Sequence, residues 1–396
     1  MSASTLSRGS VSGYRGPLRL RRGATVALAL GLALVGLACS PAAAPPASAP
    51  APAPAKPAAA AAAAPTSSAP AAAQSQTSAA PSIRVPPPPA SPPAALDKVT
   101  YGIVSYNPFH WIAMIAEKKG LMEPYGIEFD MVITRTAPAA MSALAGGSMD
   151  LATTSPGAAW DVQQKTPGFK QVLEIVGTNP YIVVAQPEIA SYDDLRGKTV
   201  AGQSLQSGAD IELLRLLLIE RGLEYPRDYD ILAIGSVAER EAALLANQAA
   251  AGAMIPPNSF ELLDQGKKTL DEAWRHSFLR DVATITVLAR EDWYKEKPDV
   301  ARRFVQAYVA ITAWLYDPAN RAEAVQILAE QTRMDPKYAE RTYQQLVVDT
   351  KIFPANPRFD PKHVEQAYTN LKRVGLSVPD DPMSLVDNSI VDAALR

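Results

Sequence analysis

The stretch ALAGGSMDLATTSP, residues 143–156, contains the end of one helix, a short strand and the start of the next helix. Its apolar beginning is stopped by Gly146-Gly147, because glycine readily ends a helix. Leu151–Thr153 then has the apolar character of a short buried strand. Ser155-Pro156 places a capping hydroxyl and a proline where a helix begins. A strand held between two helices by such short turns indicates an α/β fold.

The same alternation continues on both sides of this stretch. Ser207 with Asp210 and Ser236 with Glu239 have the spacing of capping boxes at helix starts. From Pro298 onward the pattern is almost wholly helical. Repeated β-α units of this kind predict largely parallel sheets with helices on both faces. The other predicted strands are Val99–Val104, Ile127–Val132, Val172–Val176, Tyr181–Ala185, Thr199–Ala201, Tyr229–Ile234, Ala253–Ile255 and Thr284–Ala289.

The amino-terminal part of the chain has the pattern of an export signal. Five arginines and no acidic residue precede the apolar run Ala24–Ala38, which ends at Cys39. A run of this length behind basic residues is typical of a signal peptide and is short for a membrane span. We therefore expect residues 1–38 to direct export, with the mature protein periplasmic or at the cell surface.

Cys39 is the only cysteine of the chain, which excludes an intramolecular disulfide. Its position at the end of the leader resembles the lipid-accepting cysteine of bacterial lipoproteins. Ala38 fits such a signal, whereas Gly36 stands where a branched residue is usual. Lipidation of Cys39 is our prediction, and an ordinary cleaved signal with an incidental cysteine is the alternative.

Residues 39–96 are predicted to be a disordered tether. The segment is rich in Ala, Pro and Ser, with almost no charge and very few large apolar residues. It cannot bury enough surface to offset the entropy lost on ordering. Its prolines favour extended conformations, so we expect a semi-stiff spacer between a membrane anchor and a folded body.

The remaining residues, 97–396, are enough for two ordinary domains. Without the five leader arginines, the formal charge of the chain changes from −2 to −7. An acidic body argues against nucleic acid as a partner, since phosphate binding needs clustered Lys and Arg.

Catalytic and metal-binding motifs are missing from the sequence. His110, His276 and His363 are far apart and form no His-Glu-x-x-His motif. Gly197-Lys198-Thr199 resembles the end of a P-loop, but Tyr192 replaces its first glycine. No Gly-x-Ser-x-Gly elbow occurs. We therefore predict no enzyme, no metal and no cofactor.

Several segments of the body, in their order, resemble a known family. They are residues 143–151 (ALAGGSMDL), 153–156 (TTSP) and 194–198 (DLRGK), followed by the helix start Pro298-Asp299-Val300 with Phe304. Together they resemble the bacterial solute-binding lipoproteins that serve importers of nitrate, sulfonates, taurine and thiamine-pyrimidine precursors.

The resemblance implies a type II periplasmic-binding-protein fold with two α/β lobes. Each lobe has a mainly parallel sheet flanked by helices, and two crossover strands join the lobes. Lobe 1 is expected to comprise residues 97–185 and a mostly helical return, 288–396, with lobe 2 formed by residues 186–287. The crossovers are expected near Val183–Gln186 and Val287–Arg290.

One loop of the second lobe departs from the family pattern. Asn247 stands where the family usually has glycine, and Ala250 stands where it usually has aspartate. Asn tolerates the left-handed conformation that a helix end often needs, so we expect the fold to be kept there. A contact that depends on the missing acid is in doubt.

Ligands of open α/β sheets bind beyond the carboxyl ends of the strands, so the loops there are candidate sites. The loop after the first strand offers aromatic rings with Asn and His side chains. Two serine-containing segments begin helices, whose free N–H groups favour anions, and an arginine after the second strand can pair with a carboxylate or sulfonate. The predicted ligand-binding residues are Tyr106, Asn107, Phe109, His110, Trp111, Arg135, Thr154, Ser155, Gln206, Ser207, Gly208 and Asn258.

These residues also have purely structural interpretations. Ser155 and Ser207 can act as helix caps alone. Trp111 fits core packing at least as well as ligand stacking. Arg135 can form a surface ion pair.

The resemblance implies an ABC importer's solute-binding protein. It would act as a monomer, trap a small anionic or heteroaromatic solute by closing its lobes, and deliver it to a permease and ATPase in the inner membrane. A ligand sensor for a membrane kinase or chemoreceptor is the main alternative. An enzyme similar to the pyrimidine-precursor synthases is the second, although the cysteine-rich motif of those enzymes is absent.

Overall fold

The structure is a computed structural model that describes residues 81, 83–91 and 94–396. All of them belong to one unit of the chain, Gln74–Arg396. The predicted signal peptide, Cys39 and most of the predicted tether lie outside the described residues.

The described part alternates strands and helices, as the sequence predicts. The strands are β1 (Asp97–Ile103), β2 (Ile127–Ile133), β3 (Leu151–Thr154), β4 (Phe169–Thr178), β5 (Ile182–Ala185), β6 (Thr199–Gly202), β7 (Asp230–Ala233), β8 (Ala251–Met254), β9 (Lys268–Glu272) and β10 (Asp281–Arg290). The helices are α1 (Trp111–Lys119), α2 (Ala137–Ala145), α3 (Pro156–Lys165), α4 (Ala209–Ile219), α5 (Val237–Leu245), α6 (Asn258–Asp264), α7 (Ser277–Arg280), α8 (Glu291–Glu296), α9 (Pro298–Tyr316), α10 (Arg321–Thr332), α11 (Pro336–Tyr343), α12 (Pro361–Arg373) and α13 (Ser389–Leu395).

The strands form two sheets of the same design. The first has the order β2-β1-β3-β10-β4 and the second the order β7-β6-β8-β5-β9. In the first sheet only β10 runs against its neighbours, and in the second only β5 does. We call the first sheet with its helices lobe 1 and the second lobe 2. The mainly parallel, two-lobed α/β fold is confirmed.

In the part of the chain from residue 94 onward, the backbone passes between the sheets twice. It leaves the first sheet at Thr178 and enters the second at Ile182. It returns between Glu272 and Asp281, through α7. The predicted crossings at Val183–Gln186 and near the end of β10 are therefore too late in the chain. Strand propensity cannot reveal which sheet a strand joins, because that depends on its partner strand.

The long helix α9 shows how the core of lobe 1 is built. It buries Phe304, Tyr308, Ile311 and Leu315 on one face, as their helical spacing predicts. Each fully buried side chain of this size contributes about 1.5–3 kcal/mol.

Asn247 has a φ of 57°, so the predicted left-handed conformation at this position is confirmed.

The end of the predicted tether is held against lobe 1. Pro86 is buried, and its carbonyl accepts a hydrogen bond from the Tyr125 hydroxyl at 2.9 Å. Ile83 packs against the core. The prediction of a disordered spacer up to residue 96 is thus wrong for this segment. Ile83 is one of the few large apolar residues in a segment of Ala, Pro and Ser, and it has a core to pack on.

Candidate functional site

A cleft lies between the lobes, beyond the carboxyl ends of strands from both sheets. It contains about 510 Å³ of space, part of which opens to solvent. Lobe 1 contributes the loops after β1 and β3, and lobe 2 contributes the loops after β6, β7 and β8. The lining residues are Val104, Ser105, Asn107, Phe109, His110, Thr153, Thr154, Ser155, Tyr181, Gln203, Gly208, Ala209, Ser236, Val237, Arg240, Ile255 and Ile285.

The first loop of lobe 1 is fixed by its own hydrogen bonds. The Asn107 side chain accepts from the Phe109 N–H at 3.0 Å and donates to the Ser105 carbonyl at 3.2 Å. His110 Nδ1 lies 2.9 Å from the same carbonyl oxygen, which can only accept, so Nδ1 carries the proton. The Thr153 hydroxyl lies 3.0 Å from His110 Nε2 and 3.2 Å from the Gly102 carbonyl oxygen, and these two acceptors share its single proton. Burial lowers the pKa of His110 to about 4, which keeps the imidazole neutral near pH 7.

Ser155 joins the two lobes. Its hydroxyl oxygen accepts from the Ala158 N–H at 3.3 Å and thereby caps α3, as the sequence predicts. The same hydroxyl donates to Glu212 Oε1 of lobe 2 at 3.0 Å. That carboxylate oxygen also accepts from the Gly208 N–H at 3.0 Å. Burial raises the pKa of Glu212 to about 7.

Gly157 allows the lobes to approach each other at this point. A Cβ atom on Gly157 would lie 2.2 Å from Glu212 Oε1 and 3.1 Å from Leu371 Cδ2. Any larger residue would therefore displace the Glu212 carboxyl group and disturb its bonds to both lobes.

Lobe 2 presents donors without acceptors. Arg240 is 4% exposed, and its guanidinium donates to the Gly235 carbonyl at 2.6 Å. Its Nε lies 3.6 Å from Asp210 Oδ2, too far for a hydrogen bond, and has no other partner. Gln203 Nε2 is likewise buried and unpartnered. Among the residues that the structure describes, these are the cleft's unpartnered buried side-chain N and O atoms, and both are donors.

Apolar groups form the rest of the lining. The Phe109 and Tyr181 rings meet edge to face, with centroids 5.5 Å apart and planes at 66°. Ile255 and Ile285 also line the cleft. The arrangement can hold a small molecule with an apolar or aromatic body and acceptor groups facing lobe 2.

Half of the predicted ligand-binding residues line this cleft. They are Asn107, Phe109, His110, Thr154, Ser155 and Gly208. Their contact with a ligand stays a prediction. Both ring nitrogens of His110 are already hydrogen bonded, and the Thr154 hydroxyl donates to the Ser155 carbonyl at 3.3 Å.

The start of α4 differs from the predicted one. Gly208, with a φ of 132°, precedes the helix, and no side chain caps it. Ser207 does not form the predicted capping box with Asp210, whose carboxylate instead accepts from the Gln203 N–H at 2.8 Å. A Cβ at Gly208 would lie 2.7 Å from Gln203 Oε1, so glycine leaves room for that side chain as well as for the positive φ.

Two aromatic residues of the predicted site lie outside the cleft. Trp111 is fully buried, donates its indole N–H to the Ala324 carbonyl at 3.0 Å and meets Tyr343 edge to face. Tyr106 is half-buried against the core and does not line the cleft. For Trp111 the prediction of ligand binding is wrong, because the residue begins a helix whose inner face packs within lobe 1.

The predicted polar contacts of Arg135 and Asn258 are also satisfied elsewhere. Arg135 is exposed and forms an ion pair with Glu239. Asn258 begins α6 and donates to Glu241 Oε2 at 2.5 Å. Gln206 and Ser207 lie in an outer depression next to the cleft. The structure thus places these four predicted residues outside the cleft.

Among the described residues, three groups of ion pairs connect the rims of the lobes. Arg135 of lobe 1 pairs with Glu239 of lobe 2, and Arg373 on α12 pairs with Glu220 at the end of α4. Arg341 on α11 lies 3.2 Å from Asp264 on α6. In each of these pairs the cation belongs to lobe 1 and the acid to lobe 2.

Three residues in or next to the cleft were not identified from the sequence. Gln203 and Arg240 line it, and Glu212 is hydrogen bonded to the lining residues Ser155 and Gly208. Gln203 directly follows β6. The rule that ligands bind beyond the carboxyl ends of the strands would therefore have identified it as a candidate. Glu212 is an acid in the otherwise apolar run of α4, which is a signal of a buried charge. Arg240 gave no such signal, because a lone arginine inside a helix is usually a solvent-exposed residue.

Within the described ranges, no group of three or more His, Cys, Asp or Glu side chains is arranged to hold a metal ion. None of the helices there is long and apolar enough to span a lipid bilayer.

Comparison with known proteins agrees with this architecture. The two-lobed α/β fold is that of the alkanesulfonate-binding protein SsuA from Xanthomonas axonopodis pv. citri bound to MOPS, with a TM-score of 0.61 and 18% identity over 76% of this chain and 100% of the other. The periplasmic nitrate-binding protein NrtA from Synechocystis PCC 6803 also has a TM-score of 0.61, with 17% identity over 76% of this chain and 86% of the other. The desulfurization enzyme DSZB shares the fold more distantly, with a TM-score of 0.51 and 14% identity over 76% of this chain and 99% of the other.

The family is defined by sequence. The NMT1/THI5 like family model matches residues 107–321, more than half of the chain, and the chain therefore belongs to this family. A Brucella abortus protein named as a binding protein is 27% identical over 246 residues, covering 59% of this chain and 72% of the relative. The family resemblance that the sequence segments indicate is confirmed.

Proposed function

We propose that the protein is the exported solute-binding component of an ABC importer. It would capture a small organic solute between its lobes and deliver it to a permease and ATPase in the inner membrane. The observation that best supports this function is the cleft itself, which combines apolar walls with buried donors that lack acceptors. The names of the sulfonate-binding and nitrate-binding proteins of the same fold support it too.

The donors indicate the chemistry of the solute. Arg240 Nε and Gln203 Nε2 need acceptors, because a buried donor without one costs about 1–3 kcal/mol. A carboxylate, a sulfonate or the ring nitrogens of a heteroaromatic compound would supply them. Phe109 and Tyr181 would contact the apolar part of such a solute. An anionic or heteroaromatic solute is therefore our proposal.

Capture would require the lobes to move. Within residues 94–396, the covalent connections between the lobes are residues 179–181 and 273–280, so rotation about these two segments would open the cleft. A solute that contacts both walls would favour the closed arrangement, because it binds that state better.

A screen of melting temperatures tests the proposal. Sulfonates, aromatic carboxylates, nitrate and thiamine-pyrimidine precursors would be added to the purified protein. A compound that binds only the native state raises the melting temperature. At a concentration of a hundred times its Kd, it adds about 2.7 kcal/mol to the free energy of unfolding. If no compound of these classes stabilises the protein, the proposed solute class is wrong.

We propose that the protein does not transform its solute, although the fold also occurs in a desulfurization enzyme. In the cleft, the Thr154 and Ser155 hydroxyls are engaged as donors and His110 has no free nitrogen. Mass spectrometry of a bound solute after incubation should recover it unchanged, and a new product would contradict this.

Export, lipidation of Cys39 and a monomeric state are further parts of the proposal. A labelled fatty acid should be incorporated into the wild-type protein in cells and not into Cys39→Ser. Equal incorporation of the label into the variant would contradict lipidation of this residue.

A further inference from the structure

A second pocket lies at the connections between the lobes, and we call it the hinge pocket. Both connecting segments reach it, the first through Asn179 and the second through Leu279. Helix α4 of lobe 2 and helix α12 of lobe 1 supply most of its walls. It contains about 430 Å³ of space, part of which opens to solvent, and Ala209 is the one lining residue that it shares with the cleft. The hinge pocket is therefore separate from the proposed solute site.

The lining of the hinge pocket is mostly apolar. Leu213 and Leu216 extend into it from α4, and Leu371 and Val374 line it from α12. No Lys, Arg or His is among its described lining residues, so an anion gains no cationic partner there. A neutral molecule with an apolar body would remove apolar surface from water on both lobes at once.

Asn179 provides a hydrogen-bond donor without an acceptor in this pocket. The residue is 5% exposed, and its side-chain oxygen accepts from the Tyr181 N–H at 3.3 Å. Its amide nitrogen donates to no group within the described part of the chain. Asn370 and Thr284, which also line the pocket, already donate to backbone carbonyls. The unpartnered amide therefore favours a molecule that carries an acceptor oxygen.

Glu212 lies between the hinge pocket and the cleft. It lines the hinge pocket, while its Oε1 accepts hydrogen bonds from Ser155 and Gly208, which line the cleft. Burial raises the pKa of Glu212 to about 7, so the carboxyl is neutral at lower pH. Because Oε1 already accepts twice, the proton lies on Oε2, which is then a second donor for a molecule in the pocket. The same side chain thus contacts both spaces and both lobes.

We propose that the hinge pocket is an effector site for a small neutral molecule with an apolar ring and one acceptor oxygen, such as a cyclic ketone. Such a molecule contacts α4, α12 and both connecting segments, and it therefore favours the arrangement in which these elements lie close together. By linkage, the effector and a ligand that closes the cleft raise each other's affinity by the same factor. This inference does not depend on which solute the cleft binds.

Cyclohexanone is the probe for this site, titrated into the full chain at pH 6 and followed by ligand-observed nuclear magnetic resonance. Ala367 on α12 lines the hinge pocket, so Ala367→Leu fills part of it. Thr369→Leu places the same side chain at an exposed position of the same helix, outside the pocket. We expect Ala367→Leu to weaken binding by about tenfold or more and Thr369→Leu to leave it unchanged.

Asn179→Asp tests the donor with almost no change in side-chain size. The variant keeps an oxygen for the Tyr181 N–H and loses the amide donor, so cyclohexanone should bind about tenfold more weakly. Arg240→Ala changes the cleft and should leave this binding unchanged. Binding that falls in Arg240→Ala and not in Ala367→Leu or Asn179→Asp would place the probe in the cleft and overturn the site. Failure of cyclohexanone to bind the wild type would overturn it as well.

The distance between spin labels on the two lobes tests the effector role. Cyclohexanone should increase the closed fraction of the wild type and leave that of Ala367→Leu unchanged. A wild-type distance distribution that does not respond to saturating cyclohexanone would overturn the coupling between the hinge pocket and closure. These measurements use no solute of the cleft, so their failure is distinct from failure of the proposed solute-binding function in the melting screen.

Discussion

The two walls of the cleft are built differently. On the lobe-1 wall, Asn107, His110, Thr154 and Ser155 already use their polar groups in hydrogen bonds. On the lobe-2 wall, Arg240 and Gln203 keep buried donors that have no acceptors. The difference suggests that lobe 1 gives the site its shape and lobe 2 recognises the polar groups of the solute. A wall whose groups are mutually satisfied gains little from a ligand, whereas unpartnered donors gain a hydrogen bond each.

The largest effect is expected at Glu212, where the walls meet. Burial raises its pKa to about 7 from an ordinary value of 4.5, so the folded state holds this proton more tightly than the unfolded state. Stability should fall as the pH rises from about 4.5 to about 7, because the buried carboxyl must then ionise. Glu212→Gln keeps an acceptor for Ser155 and Gly208 but cannot ionise. We expect it to match the wild type at pH 4 and to be more stable at pH 8, by up to about 3 kcal/mol.

Urea unfolding between pH 4 and pH 8 measures this difference. Glu188→Gln, which replaces an exposed acid of lobe 2, is the control and should follow the wild-type curve. If the free energies of unfolding of Glu212→Gln and of the wild type change with pH in parallel, ionisation of Glu212 does not affect stability and the prediction is wrong.

Arg240→Ala tests the recognition role of lobe 2 most directly. Hydrogen bonds to charged groups contribute about 1.5–3 kcal/mol, so a solute identified in the melting screen should bind about 30-fold more weakly to this variant. Calorimetric titration measures the change. Arg227→Ala, which removes an exposed arginine of the same lobe, should have no effect on affinity. Equal losses in the two variants would remove Arg240 from the site.

A pair of amide variants sharpens the comparison between the walls. Asn107→Ala removes a side-chain cap and should lower the free energy of unfolding by about 1 kcal/mol. Gln203→Ala removes an unpartnered group, so we expect stability to change little and solute affinity to fall about fivefold. Urea unfolding measures the stability of both variants, and calorimetry measures their affinity for the solute. If lobe 1 recognises the solute instead, Asn107→Ala will lose more affinity than Gln203→Ala.

The smallest effect is expected at the rims, where lobe 1 supplies the cations and lobe 2 the acids. Exposed ion pairs contribute about 0.2–1 kcal/mol each and weaken with salt. Arg341→Glu should lower the closed fraction a few-fold at low salt, and the added change Asp264→Arg should restore it. The distance between spin labels on the two lobes reports closure.

Reversal of the exposed pair Lys98 and Asp130, which lies entirely within lobe 1, is the control for this experiment. A closed fraction that does not respond to Arg341→Glu, or that responds equally to the control, would exclude electrostatic attraction between the rims.

Local features of the sequence were predicted well. Ser155 caps α3, and Ser236 forms its capping box with Glu239, because a cap depends only on residues three positions apart. Gly147 has a φ of 75° and follows α2, as the helix end predicts. The Ser207 cap was predicted wrongly, because Gly208 precedes α4 and the Asp210 carboxylate accepts instead from the Gln203 N–H, seven residues earlier in the chain.

The two arginines show why the site was harder to predict than the fold. Arg135 follows a strand end, where the rule for α/β sheets expects ligands, yet its side chain turns to Glu239 at the rim. Arg240 lies in the first turn of α5 and lines the cleft. The direction in which each side chain points depends on how the two lobes are oriented, which no local pattern records.

By itself, the sequence determined the alternation of strands and helices, the main helix ends and the family of the chain. These properties follow from periodicity, turn residues and segment order, which act over a few residues at a time. The tertiary structure alone decided where the chain crosses between the sheets and which polar groups remain unpartnered in the cleft. Those properties depend on contacts between residues far apart in the chain, such as Ser155 with Glu212, and exist only once the lobes have packed.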